Sequence, residues 1–328
     1  MADVDLRELR YFRVVAEELN FSRAAERLGM TQPPLSRAIR LLERRLDAPL
    51  FVRDSHRVEL TAAGEVLFAE SRSVLDAVDA AVRRTRRAAA GPPTLVVTVK
   101  PCVATELVRG ILDTYRAIPG APVVEVAVSG FGEQADMVRD GRADVALLAA
   151  PYDRRGLELE PLLREARLAA LPAAHPLAAR TTLTCADLAG LPMPRWPTAN
   201  AAESDFWAGR DREPSRAGER SVGPLVRDTA QTLETVALGQ AVALVSTSLA
   251  DGNPRPDIAY RPVVDASPLS IAIAWREQAR NPWLARLVEV AVEVAGDVGG
   301  GPGGAAAQPV RGGGAPAPAA RSAATVSG

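Results

Sequence analysis

The sequence predicts a multidomain chain of the α+β kind, with a small helical domain carrying a β-hairpin, one long helix, and a larger domain of alternating strands and helices. Three observations predict it. Apolar residues recur at helical spacing through the first fifty residues and then give way to two short apolar stretches around a polar turn. From Thr61 to about Arg87 a stripe of apolar and small residues is spaced four and three alternately. Beyond Gly91-Pro92-Pro93, strand-like and helix-like runs take turns.

In the first helix Leu6, Leu9, Phe12, Val15 and Leu19 share one face. Ser22 offers an N-cap for a second helix carrying Ala24, Ala25 and Leu28, and Gly29 ends it, being tolerant of positive φ. Thr31 can cap a third helix whose first turn accepts Pro33 and Pro34, because amides there lack intrahelical acceptors. Leu35, Ile39, Leu42 and Leu46 form its buried stripe, leaving Ser36, Arg37, Arg40 and Arg44 pointing outward. Leu50-Phe51-Val52 and Val58-Glu59-Leu60 flank the turn Arg53 to Arg57 and read as a hairpin, or wing. These elements bound a first domain, residues 1–60.

Thr61 caps the long helix, which at 1.5 Å per residue spans roughly 40 Å. Its stripe of Leu67, Ser71, Val74, Val78, Ala81 and Thr85 is a coiled-coil seam, so residues 61–90 are expected to dimerise. Residues 91–297 form the second domain. Leu95–Val99, Thr105–Ala117, Val123–Val128, Glu133–Arg139 and Val145–Ala149 give a βαβαβ order with parallel strands. Arg167–Leu171 enters a second lobe, followed by a helix at Thr229–Leu238 and a strand at Ala241–Val245. Ser270–Trp275 and Pro282–Val294 close the first lobe, so lobe I is about 91–164 with 266–297 and lobe II about 165–265. Residues 298–328 are rich in Gly, Ala and Pro without hydrophobic periodicity, and are expected to be disordered.

Across 328 residues the chain is 47% hydrophobic and 24% charged, an ordinary soluble composition. No apolar run approaches the roughly 18 residues of a membrane span. The opening MADVDLRELR lacks the basic cap and apolar stretch of a signal peptide, and the two cysteines, Cys102 and Cys185, have no partner motif, so a cytoplasmic location is expected. Two cysteines and two histidines (His56, His175) at these spacings make no metal site. The net charge of −1 conceals an asymmetry. Residues 31–57 hold six arginines against Glu43, Asp47 and Asp54, whereas residues 91–328 hold 23 basic and 26 acidic residues. A basic patch at one end of a mildly acidic body suits a polyanion partner there. Lys100 is the only lysine.

A helix, a glycine turn and a helix with an arginine-studded outer face place the second helix in the major groove of double-stranded DNA. Gln32 can bond a base edge, and Pro33 or Pro34 can pack on a thymine methyl. Ser36, Arg37 and Arg40 divide base reading and phosphate contact between them, with Ser22 and Thr31 at the two helix starts joining the same face. Arg53, His56 and Arg57 on the wing reach the backbone or minor groove. A basic face alone would equally describe a solvated helix in an ordinary bundle.

Residues 21–64, FSRAAERLGMTQPPLSRAIRLLERRLDAPLFVRDSHRVELTAAG, resemble the signature of LysR-type transcriptional regulators. The paired alanines, the QPPLSR helix start, Leu42-Glu43, Leu50-Phe51-x-Arg53 and Leu60-Thr61-x-x-Gly64 carry the likeness together. It continues more loosely to about residue 295, through His175-Pro176-Leu177 and Trp275-Arg276. The resemblance implies a winged helix-turn-helix, a linker helix and a two-lobed, periplasmic-binding-protein-like effector domain. It also implies a tetramer built from dimers, an inducer in the interlobe cleft and contact with RNA polymerase. Carried over by position, Thr31, Gln32, Pro33, Ser36 and Arg37 become contacts from the recognition helix, and Arg53 a wing contact.

In open α/β lobes ligands bind at the carboxyl ends of strands. That rule selects Lys100, Pro101 and Cys102 after the first strand and Ser129, Gly130 and Phe131 after the second. Arg195, Trp196 and the helix start Thr229 come from the other lobe. The family commonly has a hydroxyl residue at a helix N-terminus near Cys102, so the lysine beside it is the alternative source of charge. Ala241 stands where the family favours a glycine, and Ser246 where it often has proline. An enzyme is the competing class. Gly130-Phe131-Gly132 with Ala135 imitates a dinucleotide fingerprint, but the helix after it ends by Gly141, too short for that role. A DNA-binding protein that senses nothing is the second rival, and the N-terminal residues alone do not separate it from a sensor.

Overall fold

A computed structural model describes residues 4–53, 58–91, 93–197, 199–212, 223–277, 279–300 and 307–309. They fall into two compact units, Met1–Arg86 with Arg139–Gly141, and Arg87–Val138 with Arg142–Gly328.

In the first unit α1 (Leu6–Glu18) starts from a capping box, in which Asp5 accepts from the Arg7 amide while Glu8 accepts from the Asp5 amide. Leu9, Phe12 and Val15 are buried. Leu19, expected on the same face, instead ends the helix in the left-handed region at φ 45° and is 46% exposed. The cap of α2 (Phe21–Arg27) is Asn20, not Ser22: Asn20 Oδ1 accepts from the amides of Ser22 and Arg23 at 2.9 and 3.0 Å. Gly29 then turns the chain at φ 65°.

Thr31 occupies the N-cap of α3 (Gln32–Leu46), although its side chain makes no capping bond. Leu35, Ile39 and Leu42 pack with Phe12, Val15, Ala24 and Ala25 in one core. Glu43 Oε1 accepts from the amides of Leu50 and Phe51, tying α3 to the antiparallel hairpin of β1 (Phe51–Arg53) and β2 (Val58–Leu60), in which Phe51 faces Leu60. α4 (Ala62–Ala90) runs three residues further than expected. Thr61 Oγ1 accepts from the Gly64 amide at 3.0 Å and donates to the Pro49 carbonyl at 2.6 Å, so one hydroxyl caps α4 and fastens it to the chain entering the hairpin.

The second unit is two lobes. Its elements are β3 (Thr94–Val99), α5 (Thr105–Arg116), β4 (Val123–Val128), α6 (Gln134–Arg139), β5 (Val145–Ala149), β6 (Leu157–Glu165), β7 (Arg167–Pro172), α7 (Ala201–Trp207), α8 (Thr229–Ala237), β8 (Ala243–Ser246), α9 (Thr247–Gly252), β9 (Ile258–Pro262), β10 (Leu269–Arg276), α10 (Pro282–Gly300) and β11 (Ala307–Pro309). Lobe I is a six-stranded sheet in the order β11-β6-β10-β5-β3-β4. β4, β3 and β5 are parallel, as the alternating pattern predicts, and β10 returns antiparallel between β5 and β6. One face packs on α5 and α10 through Val97, Ile111, Leu287 and Val290, the other on α6 through Val96, Met137 and Val138. Lobe II is the antiparallel sheet β8-β7-β9, with Leu233 and Val236 of α8 against one face.

Three features depart from expectation. β6 is a full strand whose Pro161 sits beside a register shift opposite Ile271 and Ala272, a position where a ladder tolerates proline. β9 was not anticipated either. The tail is not wholly unstructured: α10 continues to Gly300, and Ala307–Pro309 pair with Glu165–Leu163 of β6. That pairing joins backbone to the edge of a sheet, which hydrophobic periodicity does not register; residues 301–306 and 310–328 lie outside the described residues. The chain passes between lobes twice, at Ala166 and through residues 263–268, and the two passages lie side by side because Leu269 faces Glu165 and Pro262 faces Leu168. Arg167, 1% exposed, joins them by donating from Nε to the Ser267 carbonyl at 2.6 Å.

Candidate DNA-binding face and ligand cleft

On the first unit, Thr31, Gln32, Pro33, Pro34, Arg37 and Arg40 are all exposed along the N-terminal half of α3, above the buried Leu35 and Ile39. Ser22 is exposed at the start of α2. Ser36 is a correction: expected on the outer face, it is only 6% exposed. Gln32 Nε2 donates to its hydroxyl at 3.5 Å and Arg40 Nε to its carbonyl, so two longer side chains close over a small one. Arg53 belongs to β1, and the proposed wing residues His56 and Arg57 lie outside the described residues. Along the α4 seam, Val74 and Ala81 are exposed, Leu67 and Val78 half-buried, and Ser71 buried.

The second unit contains a cleft between its lobes. Lobe I contributes Lys100 and Val103 after β3 and Leu269 at the start of β10. Lobe II contributes Pro194, Trp196, Trp207, Thr229, Thr232 and Leu233, together with Ala243 to Ser246 of β8 and Leu249. Thr229 is the first residue of α8, so the positive end of that helix stands at the wall. The Lys100 ammonium lies 4.2, 4.9 and 5.3 Å from the ring centres of Phe131, Trp207 and Trp196. Phe131 of lobe I stacks on Trp196 of lobe II at 4.3 Å with the planes 11° apart. Burial among these rings brings the lysine down from its ordinary 10.5 to about 8, against the opposing pull of Cys102 and Glu203.

Of the effector residues expected from sequence, Lys100, Trp196 and Thr229 line the cleft, and Phe131 joins through its stack. The others do different work. Ser129 is buried and shares its hydroxyl with Thr98 at 2.7 Å and with Gln134 Nε2 at 2.8 Å. Cys102 adopts φ 60° and packs toward the Ala170 and Leu233 cluster. Arg195 is exposed, donating to the Gly223 carbonyl. Pro101 and Gly130 are exposed and do not line the cavity. Sequence reasoning missed Trp207 and Thr232 as wall residues, whereas Ser246, singled out as standing where the family often has proline, does line the second-lobe wall. The available signal was a tryptophan in a short helix beginning at Asn200, whose side chain caps it. The Ala104 amide of lobe I donates to Ser248 Oγ, which in turn donates to buried Glu165 at 2.7 Å. Among the described residues no cluster of three His, Cys, Asp or Glu could hold a metal ion, and no helix is long and apolar enough to cross a membrane.

Comparison with known proteins agrees with this geometry. Residues 6–65 match the family described as bacterial regulatory helix-turn-helix protein, lysR family, and residues 89–296 match the LysR substrate binding domain. The chain is 33% identical over 303 residues to the HTH-type transcriptional regulator IlvR of Caulobacter vibrioides, covering 88% of this chain and 98% of that one. It is 28% identical over 295 residues to the Hca operon transcriptional activator HcaR of Escherichia coli, with the same shares covered. Among solved structures, full-length BenM superposes with a TM-score of 0.51 at 25% identity, covering 90% of this chain and 98% of BenM. CbnR, a LysR family transcriptional regulator, gives 0.54 at 24% identity, over 89% and 99%. The chain belongs to the LysR family of DNA-binding transcription regulators, with an N-terminal helix-turn-helix and a C-terminal effector-binding domain.

Proposed function

We propose that this regulator acts in the cytoplasm, reads an inverted-repeat promoter site with paired α3 helices and changes its grip when a small-molecule inducer enters the interlobe cleft. The observation that carries the reading is the row of exposed polar residues on α3, from Gln32 through Arg37 to Arg40, standing over a fully buried leucine and isoleucine stripe. Gln32 and Arg37 read base edges, Arg40 and Arg53 hold phosphates, and Pro33 and Pro34 pack on the groove floor. Two such helices one DNA turn apart require a dimer, which α4 supplies along Leu67, Val74, Val78 and Ala81. Pairs of dimers form the tetramer, and bound tetramer contacts RNA polymerase. Inducer coupling of about 1–3 kcal/mol suffices to switch such a system.

The test is binding to the chain's own promoter fragment and to random duplex, followed by fluorescence anisotropy at fixed salt. Arg37→Ala should lose about 1–3 kcal/mol on the promoter and little on random DNA. Arg53→Ala should weaken both alike. Equal losses on both duplexes for Arg37→Ala remove its base-reading role. No preference of the parent protein for promoter over random DNA removes the whole reading.

A further inference from the structure

Lys100 is the one lysine in the chain, and its position in the cleft is unusual for a charged group. Among the described residues its ammonium has three ring contacts and neither a hydrogen bond nor an ion pair. The carboxylate nearest in influence, Glu203, is engaged by the amide of Asn200 in the cap of α7. A desolvated cation without a counter-charge is costly, and aromatic faces offset only part of that cost. The rest of the wall is mainly apolar, with Val103, Leu233, Leu249, Trp196 and Trp207 beside the hydroxyl residues Thr229, Thr232 and Ser246, while the N-terminal end of α8 adds a second positive potential.

We propose that Lys100 is the anion-binding residue of this cleft, and that the effector is a small organic carboxylate with a flat, apolar body. The carboxylate takes a charge-assisted hydrogen bond from Nζ with α8 at its back, and the body lies against the two tryptophans. This rests on the cleft being the effector site. Because Lys100 and Phe131 come from lobe I and Trp196 and Trp207 from lobe II, the ligand exchanges a cross-lobe contact between ammonium and rings for its own ion pair. Occupancy therefore alters the joint between lobes directly.

The test uses the full chain and tryptophan fluorescence, backed by calorimetry, with phenylacetate, cinnamate and 1-naphthoate as probes, each beside its carboxamide. At least one carboxylate should bind tenfold or more tightly than its amide at pH 7. Lys100→Met should abolish that preference, and Lys100→Arg should keep it to within a few-fold. Carboxylate affinity should fall tenfold per pH unit above about pH 8, where Lys100 loses its proton. Of the other titratable groups facing it, Cys102 and Glu203, neither Cys102→Ala nor Glu203→Gln should move the pH midpoint of the profile by more than a fraction of a unit. Carboxylates that bind no better than amides, or fail to bind, overturn the proposal, as does a preference surviving in Lys100→Met. Leu233→Trp fills the cavity and separates the two levels. If it abolishes amide and carboxylate binding alike, the cleft stands as the site whatever the charge preference; if binding survives it, the cleft itself is wrong.

Discussion

Replacing Lys100 with methionine should make the effector domain more stable while depriving it of ligand. Burial holds the lysine near 8 rather than 10.5, and at about 1.4 kcal/mol for each tenfold change this disfavours the folded, protonated state by about 3 kcal/mol at pH 7. Methionine has a similar length and a polarizable tip, so it keeps the packing against Phe131, Trp196 and Trp207 while giving up a cation–π attraction of about 1 kcal/mol. The net gain is about 2 kcal/mol, a Tm increase of roughly 4–8 °C for a domain of this size. The sign with pH is specific. Between about 8 and 10.5 the unfolded chain holds the Lys100 proton more tightly than the folded one, so the parent gains stability as pH rises through that window. At pH 10 the folded lysine is neutral, so the cation–π attraction is gone, the penalty has shrunk to about 1 kcal/mol, and the variant's lead should fall to about that value. Urea denaturation of both proteins at pH 7 and pH 10, followed by tryptophan fluorescence, reads the difference. A less stable variant at pH 7, or a gap of the same size at both pH values, refutes the reasoning.

Further predictions concern the first unit. Gly64→Ala drives a Cβ into the Leu50 carbonyl oxygen and to 2.9 Å from Leu60 Cδ2, and the obstructing atom is backbone, so the hairpin must shift. A loss of about 2–3 kcal/mol is expected by thermal melting, with promoter binding falling alongside; a melt like the parent's would show that the junction is looser than its geometry. Asn20→Ala should cost about 1 kcal/mol through the lost cap of α2, while Ser22→Ala should leave stability within a few tenths. The reverse order in paired melts would return the cap to Ser22.

Much of the DNA-binding unit was legible because its information is local. The leucine stripe of α3, the prolines in its first turn and the hairpin all follow from spacings of four residues or fewer. So does the Thr61-x-x-Gly64 junction, whose glycine is explained by the Leu50 carbonyl lying where a side chain would begin. The local errors are near misses: Asn20 and Ser22 are both good capping residues two positions apart, and Ser36 is covered only because Gln32 and Arg40 bend over it. The cleft was legible only in part. Strand ends pointed to Lys100 and Phe131, and Trp196 was chosen from the other lobe, but the cage also needs Trp207, which is 76 residues from Phe131 and meets it only when the lobes pack. Which face of α8 and β8 looks into the cavity is decided by the sheet order β8-β7-β9, which local patterns do not encode. β6 escaped notice because Pro161 interrupts its alternation at the register shift.

The paired passages between the lobes limit how the effector domain can deform. Ala166 and residues 263–268 run between paired strands, so stretching or shearing the joint would break ladder bonds at Leu269 and Pro262, whereas a rotation about the line of the two passages would break neither. Arg167 ties the two passages to each other through the Ser267 carbonyl. What such a domain can report to the rest of the molecule is an angle between lobes, set by whatever occupies the cleft.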